Sequence, residues 1–229
     1  MKSKKNLLEQ LKSLPHFSKD SLYQLGKQSG LADATVDTYI SRFLKYREIL
    51  QLKRGLYISS DFFSKNRGDI SYSFYLANII RTPSYVTSWS ALQFYNLTTE
   101  AIYSITSVTP KVTRNYKTKA GNFTYQSIKR DLFSDFSLMQ GKPTLSQSRP
   151  RYAGADKPAD RPAGSFDFFI ACPAKALFDL LYFKTRQFRG VRSKDIKTLV
   201  EELRIDIDEM DKNERTKFYT MIKKYVNDE

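Results

Sequence analysis

Apolar residues recur at one-face helical spacing through the first fifty positions. Leu7, Leu8, Leu11 and Leu14 share a face and stop at Pro15, which predicts a helix over about 4–14. Ser18 suits an N-cap, with Asp20 in the first turn and Leu22 and Leu25 facing inward; Ser29-Gly30 then predicts a left-handed stop. A third helix is expected from Ala32 or Asp33, because Val36, Ile40, Phe43 and Leu44 fall on one face. Ile49-Leu50-Gln51-Leu52 and Leu56-Tyr57-Ile58 read as two strands around the basic turn Lys53-Arg54-Gly55.

Three short helices followed by a basic hairpin make a winged helix-turn-helix over residues 1–70. A helix fits the major groove of DNA, so the third can turn polar residues to base edges while its apolar face stays in the core. The candidates on that outer face are Thr35, Thr38, Ser41, Arg42 and Lys45. Arg42 is suited to guanine, and the hydroxyls to bases or phosphates. Lys53 and Arg54 at the hairpin tip are placed for phosphate or minor-groove contact. Asp37 would be repelled by phosphate and reads as a helix-surface pairing partner. Tyr39 reads as partly buried and His16 as a loop residue. A winged helix can also serve purely as a protein-interaction module.

Residues 71–229 carry a mixed pattern, so the expected fold class is α+β, with the winged helix followed by a C-terminal domain ending in helices. Tyr72, Tyr75, Leu76 and Ile79 mark a helix ended by Thr82-Pro83, and a short helix is expected over 88–95. The β-branched stretch 101–109 and the segment 122–129 read as strands. Around them stand Lys111, Arg114, Lys117, Lys119, Lys129 and Arg130, with no acid between Glu100 and Asp131. Interleaved with Tyr116, Phe123 and Tyr125, they form a second nucleic-acid candidate or a solvated basic hairpin. Residues 140–165 hold four of the eight prolines and three of the nine glycines, which predicts a flexible loop. Beyond it, 166–170 reads as a strand and Pro173 as a helix start. Three apolar stripes follow and read as core-packing faces: Ala174, Leu177, Phe178 and Leu181; Ile196, Leu199, Val200 and Leu203; and Phe218, Met221, Ile222 and Tyr225.

Charge sharpens this picture. Of 229 residues, 38 are Lys or Arg and 24 are Asp or Glu, a net charge of +14. The excess is +6 over 1–70, +6 over 71–170 and only +2 over 171–229, so the C-terminal helices read as an ordinary, nearly balanced solvated face. A polyanion partner is expected. One histidine and one cysteine argue against a catalytic triad, a cysteine zinc site and a disulfide framework. Cys172 reads as a buried structural thiol. Asp206 to Asp211 lacks the glycine and glutamate of a calcium loop and reads as helix capping. No phosphate loop, dinucleotide motif or metal-spaced cluster is present, so neither enzyme nor cofactor is expected. No apolar run reaches a membrane span and no signal peptide opens the chain, so a soluble cytoplasmic protein is expected.

Three stretches in order resemble one known family. They are the wing Leu52-Lys53-Arg54-Gly55-Leu56-Tyr57, the segment Ser84-Tyr85-Val86-Thr87-Ser88-Trp89-Ser90-Ala91-Leu92, and Ala171-Cys172-Pro173-Ala174-Lys175-Ala176-Leu177-Phe178-Asp179-Leu180-Leu181-Tyr182. Together with the helix-turn-helix, they resemble the AbiEi family, the antitoxins of AbiE-type (type IV) toxin–antitoxin systems. The resemblance covers about residues 17–185. It implies a winged helix that binds inverted repeats of double-stranded DNA in its own promoter and represses the operon. It also implies a C-terminal domain that antagonises a nucleotidyltransferase toxin, often without a stable complex. Lys53 and Arg54 match the family's basic wing, Arg42 and Lys45 lie on its recognition helix, and Ala174 stands where a glutamate is usual. The competing reading is a transcription regulator with a small-molecule pocket in the aromatic middle segment and no toxin partner.

Overall fold

The computed structural model describes residues 2–141 and 166–226, so most of the 140–165 stretch lies outside the described residues. The fold is α+β. It divides into two compact units, Met1–Asp69 with Tyr116–Asn122, and Ile70–Asn115 with Phe123–Glu229.

In the first unit, α1 (Lys2–Leu11) leads through the two-residue β1 (Phe17–Ser18) into α2 (Lys19–Gln28) and α3 (Asp33–Lys45). The strands β2 (Ile49–Lys53) and β3 (Leu56–Ser59) follow, then α4 (Ser60–Lys65). Helix α1 stops at Leu11, earlier than its leucine stripe suggests. Ser18 caps α2 as its sequence requires, its Oγ accepting from the Ser21 N–H at 3.0 Å. At the other end Gly30 takes φ of +69°, a conformation that costs glycine nothing. The strands pair antiparallel in the order β1-β3-β2, with a register shift between Gln51 and Lys53. Leu7, Leu11, Phe17, Leu22, Val36, Ile40, Phe43, Ile49 and Tyr57 form one core beneath them. Gly26 lies where α2 meets α3: an added Cβ would overlap a methyl of Val36. Close helix contact explains that glycine, not any turn.

The second unit opens with α5 (Ile70–Ile80), the two-residue β4 (Tyr85–Val86) and α6 (Ser88–Phe94). Then come β5 (Ser104–Thr109), β6 (Arg114–Thr118), β7 (Gly121–Ser127), β8 (Phe136–Gly141) and β9 (Phe166–Ala171), the last three residues of β6 and the first two of β7 grouping with the first unit. Helices α7 (Pro173–Lys184), α8 (Ser193–Glu202) and α9 (Lys212–Lys223) complete it. The six strands run in the order β6-β7-β5-β4-β9-β8. Strand β9 lies antiparallel to β8 over six residue pairs and parallel to β4 at Val86–Ile170. Because β4 is so short, the Asn78 side chain takes up part of the β9 edge: its Oδ1 accepts from the Phe169 N–H and its Nδ2 donates to the Phe169 carbonyl. Residues 101–103 stay outside the strand expected over 101–109, and β6, β8 and α4 had no clear sequence signal.

Helix α7 is the centre of this unit. Every residue from Pro173 to Tyr182 is buried, so the helix has no solvated face to receive its two charges. Lys175 and Asp179 are fully buried and bond each other one turn apart, Nζ to Oδ1 at 2.6 Å. The other carboxylate oxygen accepts from Thr87 Oγ1 at 2.7 Å and from Tyr85 Oη at 3.0 Å. The ammonium also lies 4.9 Å from the centre of the Phe178 ring. Burial pushes the Asp179 carboxyl upward, opposed by Lys175, Thr87 and Tyr85. Burial together with Asp179 raises Tyr85 too, keeping its phenol a donor. At the N-terminus of α7, the Ala174 N–H donates to Glu214 Oε2 at 3.0 Å. A carboxylate from α9 thus sits at the N-terminus of α7.

Removing one member of such a pair strands the other, which costs about 3–5 kcal/mol, whereas replacing both with apolar residues is often nearly neutral. Asp179→Ala should therefore lower unfolding free energy by about 3–5 kcal/mol in urea titrations, and Lys175→Met/Asp179→Leu should recover most of that loss.

Candidate nucleic-acid interface

Helix α3 separates its faces cleanly. Val36, Ile40 and Phe43 are buried, while Thr38, Ser41, Arg42 and Lys45 are exposed and share one stripe on the opposite side. Thr35 sits half-buried at the margin of that stripe. The hydroxyls of Thr38 and Ser41 donate to the carbonyls of Ala34 and Asp37, each at 3.0 Å. Their oxygens keep lone pairs able to accept from the exocyclic amino groups of cytosine or adenine.

Asp37 leaves this stripe. Its Oδ1 accepts from Tyr23 Oη and Lys19 Nζ, both at 2.9 Å, so it bridges α3 to α2. Lys19 and then Tyr23 hold its carboxyl below the usual carboxylate range, and its negative charge is met within the unit. Tyr39 packs on Phe43 with ring centres 6.3 Å apart, away from the polar stripe. In the turn between β2 and β3, Arg54 is exposed, Lys53 half-buried, and Gly55 has φ of +77°. His16 is half-buried, and burial lowers its pKa.

The second set of cations is divided. Lys117 and Lys119 are exposed on the segment Tyr116–Asn122, which groups with the first unit although it lies within the second in sequence. Lys111 and Arg114 are exposed in the second unit, and the Lys111 ammonium donates to the Thr82 carbonyl at 2.5 Å. The chain therefore brings Lys117 and Lys119, but not Lys111 and Arg114, into the same compact unit as α3.

Among the described residues no group of three His, Cys, Asp or Glu side chains is arranged to hold a metal, and no helix is long and apolar enough to cross a membrane. A cleft of about 510 Å³ in the second unit is lined by Trp89, Glu100, Tyr103, Ser104 and Arg204, among others. Cys172 is 8% exposed, and burial reinforced by Glu214 pushes its thiol up to about 11. Asp211 caps α9 through the Asn213 N–H at 2.8 Å, so the acidic run does cap a helix.

One surface escaped sequence reasoning. The nearly neutral C-terminal third is an average over opposed patches: Lys184, Arg186, Arg189, Arg192 and Lys194 follow one another with no acid between Asp179 and Asp195, and acids then dominate 201–211. The basic turn has unusual backbone. Arg186, Gln187 and Phe188 have φ of 52°, 70° and 58°, three consecutive left-handed residues that are not glycine. Each costs about 1–2 kcal/mol.

No protein-family model matches the chain, and no curated protein matches it.

A buried thiol with its pKa near 11 is almost wholly protonated at pH 8. Cys172 should react with a thiol reagent at that pH at least about a hundredfold more slowly in the folded chain than in denaturant, as timed by absorbance.

Proposed function

We propose that the first unit is a winged helix-turn-helix that binds double-stranded DNA, and that the protein is a transcriptional autorepressor and antitoxin of the AbiE type. The observation that carries the DNA reading is the division of α3. One helix places Thr38, Ser41, Arg42 and Lys45 on an exposed stripe, while Asp37, the carboxylate that would oppose phosphate, is turned aside onto Lys19 and Tyr23. In this reading α3 enters the major groove, Arg42 meets a base edge, and Lys53 and Arg54 of the wing grip phosphate. Lys117 and Lys119 add to the attraction for the backbone. The operator is an inverted repeat in the protein's own promoter. The toxin antagonised is a nucleotidyltransferase, and its neutralisation belongs to the second unit.

A second reading draws on the cleft lined by Trp89, Tyr103 and Arg204: a regulator whose second unit senses a small molecule and which has no toxin partner. A nucleotidyltransferase gene beside this one favours the first reading.

Retardation of the upstream DNA fragment tests the interface. Arg42→Ala should weaken specific binding by about 1–3 kcal/mol, roughly 5- to 150-fold, while sparing non-specific binding. Lys53→Ala/Arg54→Ala should weaken all duplexes alike and flatten the salt dependence by about 2 in log–log slope. Unchanged retardation in both variants would sink the assignment.

For the antitoxin role, co-expression with the neighbouring nucleotidyltransferase should restore growth, and should still do so with Arg42→Ala, which touches repression only. Failure of the wild-type chain to rescue leaves DNA binding standing and removes the antitoxin half.

A further inference from the structure

The turn after α7 carries arginine where backbone geometry favours glycine. The Arg186 N–H donates to the Phe183 carbonyl and the Gln187 N–H to the Tyr182 carbonyl, the paired bonds of a helix stop whose left-handed position is usually glycine. Here that position is Arg186, and the left-handed run continues through Gln187 and Phe188. The turn is nevertheless rigidly held. The Phe188 N–H donates to Thr185 Oγ1 at 2.9 Å, and the Phe188 ring is buried against Phe178 and Tyr182, with centres 5.4 and 6.0 Å away. Anchoring Phe188 in this way fixes Arg186 and Arg189 on either side of it in solvent.

The same aromatic cluster reaches the end of α9. Tyr225 lies 5.4 Å from Phe178 and 6.4 Å from Phe188 between ring centres, yet keeps 42% of its surface exposed. Lys223 and Lys224 immediately precede it and are exposed. Arg186 and Arg189 stand on either side of Phe188 in sequence, and Lys223 and Lys224 directly precede Tyr225, so the Phe188–Tyr225 ring contact brings two exposed basic segments to one partly exposed phenol. None of these four side chains has a hydrogen-bond or ion-pair partner among the described residues, whereas Arg192 nearby is engaged by Asp195 at 3.4 Å. Lys223 alone would be unremarkable, since a cation at a helix C-terminus is favourable. Arg186 is different, because its backbone conformation costs stability and its side chain recovers nothing within the described residues.

We propose that this turn is a binding site for single-stranded nucleic acid: Arg186, Arg189, Lys223 and Lys224 hold successive phosphates, and an unpaired base stacks on Tyr225. Cations would serve duplex DNA or an acidic protein equally. The exposed ring decides between them, because an unpaired base offers a face to stack and a paired base does not. The turn's pre-set geometry limits the ordering lost on binding. The site lies wholly in the second unit and does not depend on the reading of α3.

The full-length protein is titrated against fluorescent 12-nucleotide oligouridylate and oligothymidylate, the upstream duplex and polyglutamate, and binding is followed by anisotropy. Arg186→Gly/Arg189→Gln should weaken single-strand binding about tenfold and lower its salt slope by about 1.4, near 0.7 for each cation lost. Duplex retardation should stay within about twofold. Arg186→Gly by itself should raise the thermal midpoint by about 2 °C, since glycine relieves the left-handed strain, and still weaken single-strand binding. A residue kept for structure would give the opposite sign. Tyr225→Leu should cost about tenfold with the salt slope unchanged. Binding of either oligonucleotide supports the site, and a preference between them names RNA or DNA as the source. Three results overturn it: no single-strand binding, equal losses on duplex and single strand, or displacement by polyglutamate with no effect of Tyr225→Leu. Loss of operator retardation alone, with single-strand binding intact, refutes the reading of α3 and leaves this one standing.

Discussion

The buried pair Lys175–Asp179 is the constraint on which the second unit is built. Taking two charges out of water costs several kcal/mol for each ion, and only close, fully satisfied contacts repay it. Asp179 meets three donors within 3.0 Å, two of them from the segment leading into α6 and one from its own helix. Such a site tolerates few alternative packings, because any shift of α7 against β4 leaves a charge unpaired. Helix α7 is thereby pinned to the centre of the sheet, with Glu214 fixing its N-terminus and the Phe178 ring passing the contact on to Phe188 and Tyr225. The left-handed turn after α7 can be sustained because this frame holds it.

The first unit follows a different economy. Its core is apolar, and its charges are outside, exposed or paired across helices. Asp37 shows how much one pairing changes: bonded to Lys19 and Tyr23, it no longer opposes the cations of α3, and the stripe from Thr38 to Lys45 is left polar and positive. Gly26 allows α2 and α3 to approach closely enough for that bridge to form.

Much of this was legible from local pattern. The faces of α2 and α3, the Ser18 cap, the Gly30 stop, Pro173 at the start of α7 and the burial of Cys172 all follow from rules that act within one or two helical turns. What escaped was set at longer range. β4 and β1 are two residues each and carry no periodicity; they exist because a neighbouring strand offers hydrogen bonds. The expected strand over 101–109 loses its first three residues for the same reason. The basic turn at 184–194 was hidden by averaging its charge with the acids of 201–211, although the run without acids was there to be counted.

By itself the sequence determined the helices other than α4, most of their inner faces, the Ser18 cap and Gly30 stop of α2, the excess of positive charge and an α+β composition, since helix and strand periods are properties of neighbouring residues. Lys175 and Asp179 could be recognised as one turn apart, but not as buried. That depended on Tyr85 and Thr87, more than ninety positions earlier, arriving to satisfy the carboxylate. Tertiary structure likewise decided that Asp37 turns to Lys19, that Lys117 and Lys119 join the first unit, and that Arg186 and Tyr225 flank one aromatic cluster. For Lys175 and Asp179 the cost of burying an unpaired charge, and for Phe188 the cost of leaving a large apolar ring in water, selects partners that sequence spacing does not connect.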